Sequence, residues 1–89
     1  MADRPSYILI VTPRLKAVFK SLENKKPSLF VKLKKQVSKI IKEPEFGKPL
    51  RNVLRNYRRV HIDSHVLIYE IRGKEIWLLK FAHHDKIYK

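Results

Sequence analysis

The apolar residues of this chain change their spacing once, and that change bounds the fold more tightly than any other feature. In the first half, Leu15, Val18, Phe19 and Leu22 fall at i, i+3, i+4 and i+7, one apolar stripe along a helix. Phe30, Leu33, Val37, Ile40 and Ile41 make a second such stripe, with lysines on the outer side. From Val53 the period becomes two: Val60 and Ile62 alternate with Arg59, His61 and Asp63, as in a strand with one core face and one polar face. A helical block followed by a strand block predicts an α+β domain with its helices segregated to one face of the sheet.

Turn chemistry divides these blocks into elements. Tyr7–Val11 is apolar and rich in β-formers and stops at Thr12-Pro13, so it reads as a buried strand. Thr12 can cap a first helix with Pro13 at its first position, where the missing N–H costs nothing. Asn24 to Pro27 ends that helix, Ser28 is the expected cap of the second, and Pro44 closes it into a loop reaching Pro49. Asp63-Ser64 then makes a turn, Val66–Ile71 is a central strand, and Arg72-Gly73-Lys74 closes a hairpin to Ile76–Ala82. The predicted order is β-α-α-β-β-β, an antiparallel-rich sheet with a helical pair on one face, in a single domain over residues 1–89.

Composition narrows the function. The 89 residues hold 21 Lys and Arg against 8 Asp and Glu, a net charge of +13, which calls for a polyanionic partner: nucleic acid, a membrane surface or an acidic protein. Without cysteine, a disulfide framework, a thiolate zinc site and thiol catalysis are excluded. Only Gly47 and Gly73 are present, so no glycine-rich loop exists for ATP or a dinucleotide, and no small-molecule cofactor is expected. The apolar run Tyr7–Val11 is far too short for a membrane span or a secretory leader, and a cytoplasmic protein is expected.

The cations fall into two blocks. Lys25, Lys26, Lys32, Lys34, Lys35, Lys39 and Lys42 lie between Glu23 and Glu43, and Lys48, Arg51, Arg55, Arg58 and Arg59 between Glu45 and Asp63. Lysine is a flexible point charge, whereas the arginine fork grips a phosphate through two hydrogen bonds. Lys32, Lys35 and Lys39 are therefore read as attracting RNA, and Lys48, Arg51 and Arg55 as closer phosphate contacts.

All 4 histidines, His61, His65, His83 and His84, lie on or beside the predicted strands. A three-stranded meander could bring Arg58 or Arg59, His61, His84 and Tyr88 together. That set suits metal-free RNA cleavage, which needs a base for the 2′-hydroxyl, cations for charge developing on phosphorus, and an acid for the leaving 5′-oxygen. A tyrosine can stack on a splayed base. No metal is expected, because no H-E-x-x-H or carboxylate cluster is present and adjacent histidines cannot easily share one tetrahedral ion. Trp77 is read as a core residue.

Four segments in order carry a family resemblance: Gly47-Lys48-Pro49-Leu50-Arg51; Tyr57-Arg58-Arg59-Val60-His61-Ile62; His65-Val66-Leu67-Ile68-Tyr69-Glu70-Ile71; and His83-His84-Asp85-Lys86-Ile87-Tyr88. Together they resemble the RelE/ParE toxin superfamily. The resemblance implies a β-α-α-β-β-β fold and the toxin of a type II toxin–antitoxin pair, most of whose relatives of this type cut mRNA in the ribosomal A site without metal. Within the superfamily the sequence looks most like the YafQ branch, so His61 and His84 would be catalytic and Tyr88 the terminal aromatic. Arg58 or Arg59 resembles the phosphate-supporting arginine of the RelE and YoeB branches, and Asp63 or His65 could stand in for a YafQ aspartate. The stretch from His61 to Tyr69 is one residue shorter than the YafQ pattern, and the RelE-type arginine before the Leu67-Ile68-Tyr69 strand is absent. The resemblance also implies an acidic, amphipathic antitoxin, with ribosomal RNA and mRNA as further partners. Two other readings are a non-catalytic inhibitor in the manner of the ParE branch, which acts on DNA gyrase, and a plain nucleic-acid-binding module.

Overall fold

The computed structural model describes residues 7–50 and 56–87. Its elements are β1 (Ile8–Val11), α1 (Pro13–Lys25), α2 (Pro27–Lys42), a 3-10 turn (Pro44–Phe46), β2 (Lys48–Pro49), β3 (Tyr57–Ile62), β4 (His65–Arg72), β5 (Glu75–His83) and α3 (His84–Ile87). The strands form one five-stranded sheet in the order β1-β5-β4-β3-β2. β3, β4 and β5 are sequential antiparallel neighbours, while β1 pairs with β5 in parallel. A parallel pairing needs a crossover, and the α1–α2 hairpin together with the rest of the sheet supplies it.

This is the α+β architecture expected from the change in spacing, with differences at its margins. The loop Pro44–Pro49 contains a 3-10 turn and the short edge strand β2, and α3 follows β5 directly. β1 is not the buried strand expected but the other edge of the sheet, with Ile8 exposed and Leu9–Val11 half-buried. The start of α1 is as predicted: the Thr12 hydroxyl accepts from the Leu15 N–H at 3.3 Å, with Pro13 at the first position. Ser28 does not cap α2. That helix begins at Pro27 behind Lys26 without a side-chain cap, because Pro27 itself occupies the first turn, where its lost N–H has no intrahelical partner.

α1 and α2 lie on one face of the sheet. Leu15, Leu29, Leu33 and Ile40 from the helices meet Val60, Ile62, Leu67, Tyr69, Ile76, Leu78 and Phe81 in one buried cluster. Both β-hairpins turn through a left-handed residue at the first loop position, Asp63 (φ 55°) and Gly73 (φ 57°). Asparagine, aspartate and glycine tolerate that conformation best, so these two residues set the register of β3 on β4 and of β4 on β5.

The approach of the 3-10 turn to the sheet also fixes the chain. The fully buried Tyr69 hydroxyl accepts from the Gly47 N–H at 2.9 Å and donates to the Pro44 carbonyl at 2.5 Å. A Cβ on Gly47 would stand 2.7 Å from that hydroxyl oxygen and 2.9 Å from the Arg59 carbonyl, so only glycine fits. Trp77 is not part of the core. It sits half-buried on the face away from α1 and α2, with the Arg72 guanidinium 4.2 Å over its ring and its indole N–H donating to Glu75. Neighbouring Ile76 and Leu78 take the helix side instead.

Candidate active site

Cross-strand partners share a face of a sheet. Lys48 stands opposite Arg59, Arg59 opposite Ile68, and Ile68 opposite Lys80. One row across β2, β3, β4 and β5 therefore carries three cations around one isoleucine, on the face that α1 and α2 leave open. The next row on that face is His61, Val66 and Ala82. His61 is exposed two residues along β3 from Arg59.

Lys80 reaches this face through a bulge. Ile76 and Leu78 are buried, at 0% and 1% exposed, and an uninterrupted period of two would turn Lys80 inward as well. The register shifts between Ile68 and Tyr69, so that Leu78 faces Tyr69, Lys80 faces Ile68, and Leu79 is left over. Beyond the shift Phe81 enters the core at 6% exposed, and Lys80 stands in solvent on the open face. A bulge re-aims side chains in this way. Sequence reasoning missed Lys80, although the spacing Ile76–Leu78–Phe81 contained the phase change.

α3 covers the end of the open face beside His61. The His84 N–H donates to the Ser64 carbonyl at 2.9 Å, and the helix packs on β5 and β4. Val66 and Ile87 are both buried yet stand outside the main cluster, as expected for a small second core beneath α3. The Lys80 ammonium lies 3.5 Å from the Ile87 carbonyl. Tyr88, Arg51 and Arg55 lie outside the described residues.

The two arginines considered for phosphate contact part company. Arg59 belongs to the open-face row. Arg58 pairs with Tyr69, on the other face, and its guanidinium donates to the carbonyls of Glu45 at 3.1 Å and Gly47 at 2.7 Å. Its neighbour on β3 alternates sides, so Arg58 clamps the turn before β2 instead of facing a substrate. The lysines of α2 are also displaced from the site, since that helix lies on the covered side. Lys32 is ion-paired with Asp63 at 3.1 Å, both about half exposed, and Lys39 lies 5.6 Å over the Phe46 ring. Lys35 is exposed on the same helix. Asp63, at the left-handed turn position and paired with Lys32, belongs with this side.

His65 does not join His61. It pairs with Ile62 and His83, on the helix side, and its ring stacks on Phe81 with centroids 5.2 Å apart. Burial holds the His65 imidazole below its ordinary range, with Lys26 and His83 adding to the effect and Asp63 opposing it. A line of imidazoles continues from it: His65 to His83 at 5.6 Å and His83 to His84 at 4.8 Å between centroids. The expected convergence is thus partial. Arg59 and His61 share the open face with Lys48 and Lys80, and His84 stands where α3 begins, its ring against His83.

Against known families, residues 9–88 match the model of the ParE toxin of type II toxin–antitoxin systems. A Methanocaldococcus jannaschii protein named toxin RelE4 is 31% identical over 86 residues, covering 93% of this chain and 92% of that one. The fold is shared with a mutant of Escherichia coli toxin RelE in the free state, at 13% identity and a TM-score of 0.76 over 93% of this chain and 88% of that one. It is shared too with a chain of the YoeB–YefM complex from Staphylococcus aureus, at 15% identity and a TM-score of 0.74 over 88% and 97%. By the match along nearly its whole length, the chain belongs to the ParE toxin family, within the RelE/ParE superfamily of type II toxin–antitoxin toxins.

Proposed function

We propose that this toxin is a metal-independent endoribonuclease that cuts mRNA in the ribosomal A site and so stops translation. The observation that carries the reading is the open-face row of Lys48, Arg59 and Lys80 with His61 beside it. In this mechanism one imidazole of the pair His61 and His84 removes the 2′-hydroxyl proton. The freed oxygen then attacks the adjacent phosphorus, and the other imidazole protonates the leaving 5′-oxygen, giving a 2′,3′-cyclic phosphate. Arg59, Lys48 and Lys80 stabilise the charge that builds on the phosphate oxygens. Tyr88, Arg51 and Arg55 are assigned to base stacking and backbone contact, and the whole chain, residues 1–89, acts as one domain in the cytoplasm.

The partners follow from the same surface. An acidic antitoxin would neutralise the net charge of +13 and cover the open face, and ribosomal RNA would hold the toxin during turnover. Purified toxin added to programmed ribosomes should cleave the A-site codon, and His61→Ala and His84→Ala should each reduce the rate by about 10²–10⁴-fold, the range of a lost acid or base. An intact codon with the wild-type chain would refute the reading. Because the matching family model is that of ParE, inhibition of DNA gyrase is the second reading. A supercoiling assay separates the two, since a gyrase inhibitor would act without His61.

A further inference from the structure

His83, His84 and Asp85 each offer one donor atom, and the three atoms lie within 4.8 Å of one another. The sequence alone argues against such a site, because two adjacent histidines cannot easily share one tetrahedral ion. Here His83 ends β5 and His84 begins α3, and the break in backbone geometry between them turns both rings toward the Asp85 carboxylate. His83 Nδ1 is 3.5 Å from one carboxylate oxygen, and His84 Nε2 is 3.2 Å from the other. Zinc bonds of about 2.0–2.1 Å in a tetrahedron hold neighbouring ligand atoms about 3.3 Å apart. Each imidazole nitrogen therefore already stands at about such a separation from one of the two carboxylate oxygens. The Asp85 N–H donates to His83 Nδ1 at 3.2 Å, so that nitrogen carries no proton, and a cation bound there would displace this hydrogen bond to take the lone pair.

We infer that His83, His84 and Asp85 form a binding site for a borderline divalent cation of the Zn²⁺ type. Two imidazoles and a carboxylate match that class, and water completes the coordination at this exposed corner. One carboxylate on a strongly basic chain does not suit Ca²⁺ or Mg²⁺, which need several oxygen ligands. His65 adjoins the site through His83, and its Nδ1 is buried with no hydrogen-bond partner among the described residues. Bound there, the cation would occupy the His84 nitrogen and silence proton transfer. That consequence rests on the ribonuclease reading, whereas binding itself does not.

The test is competition for Zn²⁺ between a chromophoric chelator and the tag-free full-length chain near pH 7.5. One equivalent should bind. His83→Ala and Asp85→Asn should each weaken it by at least about tenfold, the lower range for losing even a supporting residue of a metal site, while His61→Ala leaves it unchanged. Equal binding by wild type and the His83→Ala/Asp85→Asn double variant would overturn the proposal, as would a loss in His61→Ala as large as in His83→Ala. Circular dichroism of the variants checks that they fold. If Zn²⁺ binds as stated and no RNA is cut with or without it, the ribonuclease reading falls and the site stands.

Discussion

Tyr69→Phe removes one oxygen atom and tests how the front of the site is held. The Tyr69 hydroxyl bridges the Gly47 N–H and the Pro44 carbonyl, and the ring is 0% exposed. Phenylalanine would leave both backbone groups buried and unpaired, at about 1–3 kcal/mol each. Glu45 and Phe46 are exposed in the same turn, so water can reach part of it and the total should be about 2–4 kcal/mol. An 89-residue chain has about 4–13 kcal/mol of stability in all, so this one atom accounts for a large share. Urea unfolding followed by Trp77 fluorescence should show a lower midpoint with an unchanged slope, and Tm should fall by at least about 8 °C. The pH dependence gives an independent arm. Burial raises the Tyr69 hydroxyl above its ordinary value, against the opposing influence of the Gly47 N–H and Arg58. As pH rises beyond about 10 the unfolded chain loses this proton before the folded one, so wild type loses stability there. Tyr69→Phe lacks that component, and the gap between the two proteins should narrow above pH 10. A cost below about 0.5 kcal/mol, within the range of ordinary surface substitutions, would refute the bridge. A gap that widened at alkaline pH would refute it equally.

The remaining predictions separate structural from functional cations. Lys80→Gln should leave urea stability within about 0.5 kcal/mol, as for an exposed residue, and slow A-site cleavage by about 10²-fold through lost charge stabilisation. Arg58→Ala should do the reverse, costing about 1–2 kcal/mol as two clamped carbonyls lose a charged donor, with the cleavage rate of the folded fraction close to wild type. Gly47→Ala should destabilise by about 1–3 kcal/mol, because its Cβ would overlap the Tyr69 hydroxyl and the Arg59 carbonyl, neither of which can move freely. Lys32→Ala should change stability by less than about 1 kcal/mol, since the pair with Asp63 is 56% and 52% exposed and screened by water.

How much of this could be read from the sequence depended on whether the cause was local. The α2 stripe, the Thr12 cap and the hairpin turns at Asp63 and Gly73 follow from neighbours within a few residues and stand where the pattern put them. In the α1 stripe, by contrast, Val18 is exposed and Leu15 alone is fully buried. The parallel pairing of β1 with β5 joins segments more than sixty residues apart, and no local pattern encodes it. The faces of individual cations failed for a related reason. Arg58 and Arg59 are adjacent and chemically alike, and only alternation along β3 decides that one clamps Gly47 while the other faces outward. His61 and His65 were separated by the turn between them, which sends His65 to the helix side of the next strand.

Lys80 carries the argument furthest. Reading the last strand as a regular alternation makes Lys80 an intruder in the core or a sign that the assignment is wrong, because it shares parity with Ile76 and Leu78. The chain resolves the conflict by inserting Leu79 as an extra residue, so that Phe81 can replace Lys80 beneath the helices. Burying an unpaired ammonium is far costlier than disturbing one rung of a strand ladder, so the bulge is the cheaper solution. Its by-product is a third cation in line with Lys48 and Arg59. The core's refusal of a charge therefore completes the open-face row, and the same residue that looks like an error in the strand pattern becomes the one most diagnostic of the site.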